Sequence, residues 1–222
     1  MRAPVHRLKQ ADIRWLGGHS CKHGHSYLEH YNCYLKENPN EGLRMGYLDI
    51  ETTNLEETFG FVLCYCIKVH NEDKIYERLI TRRELKTADL DKNMLEQFLK
   101  DLSNFDKVMT YYGSRFDFPF LRSRCVHLGL KFPEYGELFH KDMYYPVRSK
   151  FKFHSNRQDV ACREILGDTE KTYLSGQEWR RAPTGHQPSL NYILDHCEHD
   201  VRDLNRLTNA IVNFHLPSNR SV

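Results

Sequence analysis

Asp49 and Glu51 are the first residues here whose types and spacing could do chemistry. They close the apolar run LRMGYLDI (43–50), which reads as a buried strand. Two carboxylates at i and i+2 of a strand point to the same face. Held side by side, they disfavour joint ionisation unless a cation neutralises them. Mg²⁺ and Mn²⁺ suit that role because they take oxygen ligands. A third acid, Asp117, lies between Phe116 and Phe118 in YYGSRFDFPFL, where both rings could stack on bases. A fourth, Asp200, follows His196 at i and i+4 in YILDHCEHDVRDLNRL, so the two share one helix face. Asp195, Glu198 and Asp203 read as surface acids of that helix, and His199 points elsewhere.

The elements that must hold these residues follow from periodicity. Strands are expected at 43–50, at 59–69 (with Val62, Cys64 and Cys66 on one face), at Lys74–Ile80 and at 108–112. A polar turn falls at Thr52–Glu57. Asp91 reads as the cap of a helix with apolar positions Met94, Leu95, Phe98, Leu99 and Leu102. A second helix is expected after Pro119, a third at 157–166, and a last at 188–214 with Ser189 as its cap. The buried stripe of that last helix is Ile193, Leu194, Val201, Leu204 and Leu207. Region 133–158 looks irregular and basic. The order of elements predicts an α/β or α+β fold around a mixed sheet.

The sequence DIET (49–52), then YYGSRFDFPFL (111–121), then HCEHDVRDL (196–204) resembles the three exonuclease motifs of the DEDD superfamily. It is most similar to predicted 3′–5′ exonucleases related to the proofreading domain of family B DNA polymerases. DMYYPVRSKFKFHSNRQDVACREILG (142–167), Lys171–Thr172 and Trp179 also look like that group. The resemblance covers 43–214 and implies an RNase H-like mixed five-stranded sheet flanked by helices. It casts Asp49, Glu51, Asp117 and Asp200 as ligands of two Mg²⁺ or Mn²⁺ ions, and His196 as a proton acceptor or a water-orienting group. The superfamily's larger branches carry a tyrosine four residues before the last aspartate or a histidine five before it. A histidine at four is similar to a minority group with the same fold. The implied chemistry is phosphodiester hydrolysis with two ions roughly 3.5–4 Å apart, releasing nucleoside 5′-monophosphates.

Two further segments carry chemistry. Residues 141–157 hold Lys141, Arg148, Lys150, Lys152 and Arg157 against Asp142, with Tyr144, Tyr145, Phe151 and Phe153 interleaved. Basic and aromatic residues so mixed suit a single strand with stacked bases, and Lys171 could add a phosphate contact. HSCKHGHSYLEHYNC (19–33) holds four histidines and two cysteines. A Cys–x–His turn feeding a His–x–x–Cys helical turn predicts a structural zinc site of Cys21, His23, His30 and Cys33, with His25 the substitute ligand. This makes 1–40 a His/Cys-rich extension, and ENPNEG (37–42) a linker to the domain at 43–214. Cys64 and Cys66 read as strand core, Cys125 and Cys162 as helix packing.

Composition bounds the partners. The chain has 222 residues, 32 Lys and Arg against 30 Asp and Glu, and seven scattered cysteines. The formal charge of +2 excludes binding by bulk charge alone. No run approaches the ~20 apolar residues of a membrane helix, and the N-terminus lacks an apolar signal core. An odd cysteine count argues for reduced thiols, hence a cytoplasmic protein. The expected partner is single-stranded DNA or a DNA 3′ end, with RNA the same-chemistry alternative and replication or repair proteins as possible associates. A structure-selective endonuclease and a non-catalytic adaptor are the competing readings.

Overall fold

The computed structural model describes residues 2, 3, 5, 8, 10–37, 44–173 and 175–214. Helices α1 (Gln10–Gly18) and α2 (Tyr31–Glu37) precede strand β1 (Met45–Thr52), then β2 (Val62–Val69) and β3 (Ile75–Leu79). Helix α3 (Lys92–Leu102), β4 (Lys107–Thr110), α4 (Asp117–His127), β5 (Phe139–Asp142) and α5 (Tyr144–Lys150) follow. The chain continues through α6 (Gln158–Leu166), α7 (Gly176–Arg181) and α8 (Gln187–Ala210). The five strands form one sheet in the order β3-β2-β1-β4-β5. The pairs β1–β2 and β2–β3 are antiparallel, while β1–β4 and β4–β5 are parallel. This is an RNase H-like mixed sheet.

Both faces of the sheet are covered, which is why β2 is almost continuously apolar and buried (VLCYCIKV) rather than alternating. Its odd positions face α3: Tyr65 packs edge-on against Phe98 and donates to Asp101 Oδ2 at 2.6 Å. Its even positions face α8, where Cys64 Sγ lies 3.9 Å from the Ile193 carbonyl. The register pairs Asp49 with Cys66 and Glu51 with Cys64. Cross-strand partners share a face, so the two acids of β1 are turned toward α8.

Several elements differ from the sequence expectation. The region read as irregular contains β5 and α5, because FHKD is too short and too charged to show a strand period. Helix α4 begins at Asp117, two residues before Pro119, which sits inside the first turn. Asp91 is not a side-chain cap. It is fully buried, accepts from Val62 N at 2.8 Å, and pairs with Arg124 of α4. Ser189 is not a cap either, since α8 starts at Gln187 and the Ser189 hydroxyl donates to Glu178 Oε2 at 2.5 Å. Asp203 is no surface acid: it is buried, accepting from Thr169 Oγ1 at 2.5 Å and Glu170 N at 3.0 Å. The linker positions 38–42 and Leu43 lie outside the described residues.

The N-terminal segment has its own small core of Leu16, Tyr27, Tyr31, Tyr34 and Leu35, and Phe139 of β5 completes it. The segment therefore packs on the β5 side of the sheet. No helix among the described residues is long and apolar enough to cross a membrane.

Candidate active site

Four acids from three elements converge where β1 meets α8. Asp49 and Glu51 come from β1, Asp117 from the first turn of α4, and Asp200 from α8. Asp117, His196 and Asp200 are buried. His196 Nε2 is 3.9 Å from Glu51 Oε1 and 3.9 Å from Asp200 Oδ2, so Glu51, His196 and Asp200 form one compact ligand group. Cys197, one residue on, points its Sγ at the Asp49 carbonyl, 3.4 Å away, and ties α8 to β1.

The turn carrying Asp117 is held from β5. Asp142 accepts from Tyr112 N (2.8 Å), Ser114 N (3.0 Å), Ser114 Oγ (2.6 Å) and Tyr144 N (3.0 Å). A side chain at Gly113 would collide with Thr110, and Tyr112 adopts φ of 68°. A left-handed tyrosine beside a candidate site marks a backbone held against its preference.

A strap before α7 closes the other side. Asp203 anchors it at Thr169–Glu170. Lys171 Nζ then pairs with Asp200 Oδ2, and Thr172 Oγ1 lies 2.5 Å from His196 Nδ1. Trp179 meets the His196 ring edge-on at 5.6 Å, and Gln158 of α6 donates to the Asp200 carbonyl at 2.7 Å.

Gathering these charges moves their titration. Burial pushes the Asp49 carboxyl well above the usual range, and the charges of Glu51, Asp200 and Asp117 add to the effect. Burial, then Asp200, pushes Glu51 up to about 8. Asp117 rises to about 7 through burial, against the pull of backbone N–H groups. Burial works against the Lys171 ammonium, yet Asp200, Asp49 and Glu51 hold it above the ordinary lysine value. Burial lowers the His196 imidazole despite Asp200. Asp49 Oδ2 and Asp200 Oδ1 are buried without any hydrogen-bond partner. Converging carboxylates with unpartnered oxygens fit divalent cations with oxygen ligands.

An open cleft of about 1070 Å³ runs over these residues, lined among others by Asp49, Tyr112, Tyr144, Arg157, Lys171 and Asp200. The sequence reading places Arg148, Lys150 and Lys152 on the nucleic-acid surface. They are exposed, but the basic residues lining the cleft are Arg157, Arg163 and Lys171. Phe118 corrects that reading: it is only 2% exposed, packed against His140 and Phe132, and cannot offer a face to a base. Phe116 is half-buried against Phe120. Thr172, Gln158 and Trp179 are contacts of the site that spacing did not reveal, because each is made across distant segments.

The second cluster is in the N-terminal segment. Cys21, His23, His30 and Cys33 each bring one ligand atom within 4.8 Å of all the others. Helical periodicity predicts one helix through Tyr27–Leu35, but α2 begins at Tyr31, with His30 just ahead of it and Cys33 inside its first turn.

The mixed five-stranded sheet covered by helices on both faces defines a core of RNase H type. The family model described as RNase_H superfamily matches residues 46–212, and the chain belongs to that superfamily. A DNA polymerase of Thermococcus hydrothermalis is 34% identical over 100 residues, which is 41% of this chain and 6% of the polymerase. The family B DNA polymerase of Pyrobaculum calidifontis superposes with a TM-score of 0.58 at 19% identity, over 77% of this chain and 24% of that one. The chain thus spans a small part of either polymerase.

Proposed function

We propose that this protein is a metal-dependent 3′–5′ exonuclease that shortens DNA ends and releases nucleoside 5′-monophosphates. One observation carries the reading: Asp49 and Asp200, which converge with Glu51 and Asp117, line an open cleft and each keep one buried oxygen without a partner. Membership of the RNase_H superfamily and the likeness to DNA polymerases support a nuclease. The polymerase likeness favours DNA over RNA as the substrate.

Asp49, Glu51, Asp117 and Asp200 would hold two Mg²⁺ or Mn²⁺ ions, which supply positive charge to the scissile phosphate and lower the pKa of the attacking water. The chain's own residues do the rest. His196 stays neutral because it is buried. With Nδ1–H donating to Thr172 Oγ1, its Nε2 presents a lone pair toward Glu51 and Asp200 and can take a proton from water. Lys171 balances part of the carboxylate charge before an ion arrives. Tyr112 and Tyr144 line the cleft where unpaired bases would stack, and Arg157 and Arg163 offer charge to the backbone.

The test is digestion of a 5′-labelled single strand of DNA, and of its RNA equivalent, with Mn²⁺ or Mg²⁺. A metal-dependent ladder shortening from the 3′ end, lost in Asp49→Ala, is expected for DNA. Preferential cleavage of RNA would overturn the substrate, and internal cuts the exonuclease reading. No cleavage of either strand would leave a nucleic-acid-binding protein.

A further inference from the structure

We propose that Cys21, His23, His30 and Cys33 bind a structural zinc ion that fastens the N-terminal segment onto the β5 side of the nuclease core. Cys21 Sγ is 3.7 Å from His23 Nδ1 and 3.3 Å from His30 Nδ1. Cys33 Sγ is 3.4 Å from His23 Nδ1 and 3.6 Å from His30 Nδ1. In a tetrahedral site with Zn–S near 2.3 Å and Zn–N near 2.0–2.1 Å, each sulfur–nitrogen edge is about 3.6 Å. All four cross edges fall within about 0.3 Å of that value.

Hydrogen bonding alone does not account for this arrangement. Two thiols and two imidazole nitrogens share at most two usable protons, enough for two of the four contacts. Four near-equal edges fit one centre attracting all four atoms. Thiolate and imidazole ligands favour Zn²⁺ over the oxygen-seeking Mg²⁺ and Mn²⁺. Two thiolates and one Zn²⁺ also sum to zero charge, which suits a site whose sulfurs are buried.

The backbone is built to present the ligands. Gly24 N donates to the Cys21 carbonyl at 2.8 Å and Cys21 N to the His25 carbonyl at 2.9 Å, closing a tight knuckle. Gly24 takes φ of +78°, the left-handed turn a knuckle of this kind requires. A bridge between Ser20 and Ser26 closes its base. His30 stands at the start of α2, and Cys33 N donates to its carbonyl at 2.9 Å, so the second pair is one turn apart. His25 stands aside, its ring edge-on to His30 at 5.0 Å.

The segment has reason to need a staple. Its core is a handful of side chains, too few to hold so short a segment unaided. Phe139 belongs to that core, and Asp142, at the end of the same strand, holds the turn that carries Asp117. Zinc would therefore brace the edge strand next to the catalytic turn, at a site separate from the carboxylates.

The experiment measures zinc by plasma mass spectrometry in full-length protein purified without a histidine tag and dialysed against Mg²⁺ buffer. About one zinc per chain is expected in the wild type, in Asp200→Asn and in His25→Gln, and background in Cys33→Ser. To keep the test independent of the folding of Cys33→Ser, Co²⁺ is exchanged into the wild type and the intense visible bands of tetrahedral thiolate-bound cobalt are recorded. Absence of stoichiometric zinc together with absence of those bands overturns the proposal. Loss of zinc in Asp200→Asn would move the ion to the active site, and loss in His25→Gln would break the assigned ligand set. Either result refutes the site as drawn.

Discussion

Replacing Glu51 by glutamine should make the protein more stable at neutral pH when no divalent ion is bound. The reason lies in the sign of its shift. Glu51 titrates at about 8 in the folded protein against an ordinary 4.5, chiefly through burial and then the charge of Asp200. A carboxyl raised on folding prefers its proton in the native state. Its contribution is therefore fully present below about pH 4.5 and is lost as pH rises toward about 8. At about pH 7.5, three units at roughly 1.4 kcal/mol each bound the penalty at about 4 kcal/mol. Asp49, itself pushed up by burial and by Glu51, shares that penalty, and Lys171 offsets some of it, so the expected gain from Glu51→Gln is about 1–3 kcal/mol. For a chain of this size that is a rise in Tm of about 2–4 °C per kcal/mol. Urea and thermal unfolding of both proteins, in buffer freed of divalent ions by a chelating resin, would measure it at pH 7.5 and near pH 5. The gain should shrink toward zero at the lower pH. Adding Mn²⁺ at pH 7.5 should stabilise wild type more than the variant and reverse their order. A variant that is less stable at pH 7.5, or a difference that does not change with pH, would refute the argument that these carboxylates repel one another in the folded protein.

Two other substitutions probe the strap. Lys171→Met removes the cation paired with Asp200, and should lower the stability of the divalent-free protein at pH 7.5 by about 1–3 kcal/mol, discounted because the lysine is partly exposed. Mn²⁺ should recover most of that loss in the same unfolding assay, and failure to do so would mean the pair and the ions do not share a site. Thr172→Val deletes the partner of His196 Nδ1 while keeping the shape. It should lower kcat about 10–100-fold and leave KM and the urea midpoint near wild type, measured by nucleotide release from single-stranded DNA.

The candidate site was legible where chemistry coincided with a short period. Asp49 and Glu51 are two apart on one strand, and His196 and Asp200 one turn apart on one helix, so parity alone puts each pair on a face. The buried stripe of α3 was legible for the same reason. What spacing did not reveal is made between distant segments. Asp91 looks like a cap because it directly precedes a helix, yet its partner Arg124 is 33 residues away and both are buried. Asp203 has the neighbours of a surface acid, and only the strap folding back over α8 buries it. Strand β5 has four residues, two of them charged, and is recognisable only from its pairing with β4. Phe118 sits in an aromatic motif that suggests stacking, but the α4 helix turns it inward onto His140.

The way this chain treats its other buried acids argues for what the four convergent ones await. Asp91 is matched by a guanidinium and a backbone N–H. Asp142 receives four donors. Asp203 receives a hydroxyl, an N–H and Arg206. Each is fully compensated, as burial of charge requires. Asp49 and Asp200 differ in that each keeps one buried oxygen without a partner, although Lys171 pairs with the other oxygen of Asp200. Among the described residues, theirs are the buried carboxylate oxygens left without a partner, and Lys171 supplies one positive charge against four acids. A fold that pairs its structural carboxylates and leaves one oxygen of each of these two without a partner presents a place that suits a divalent cation.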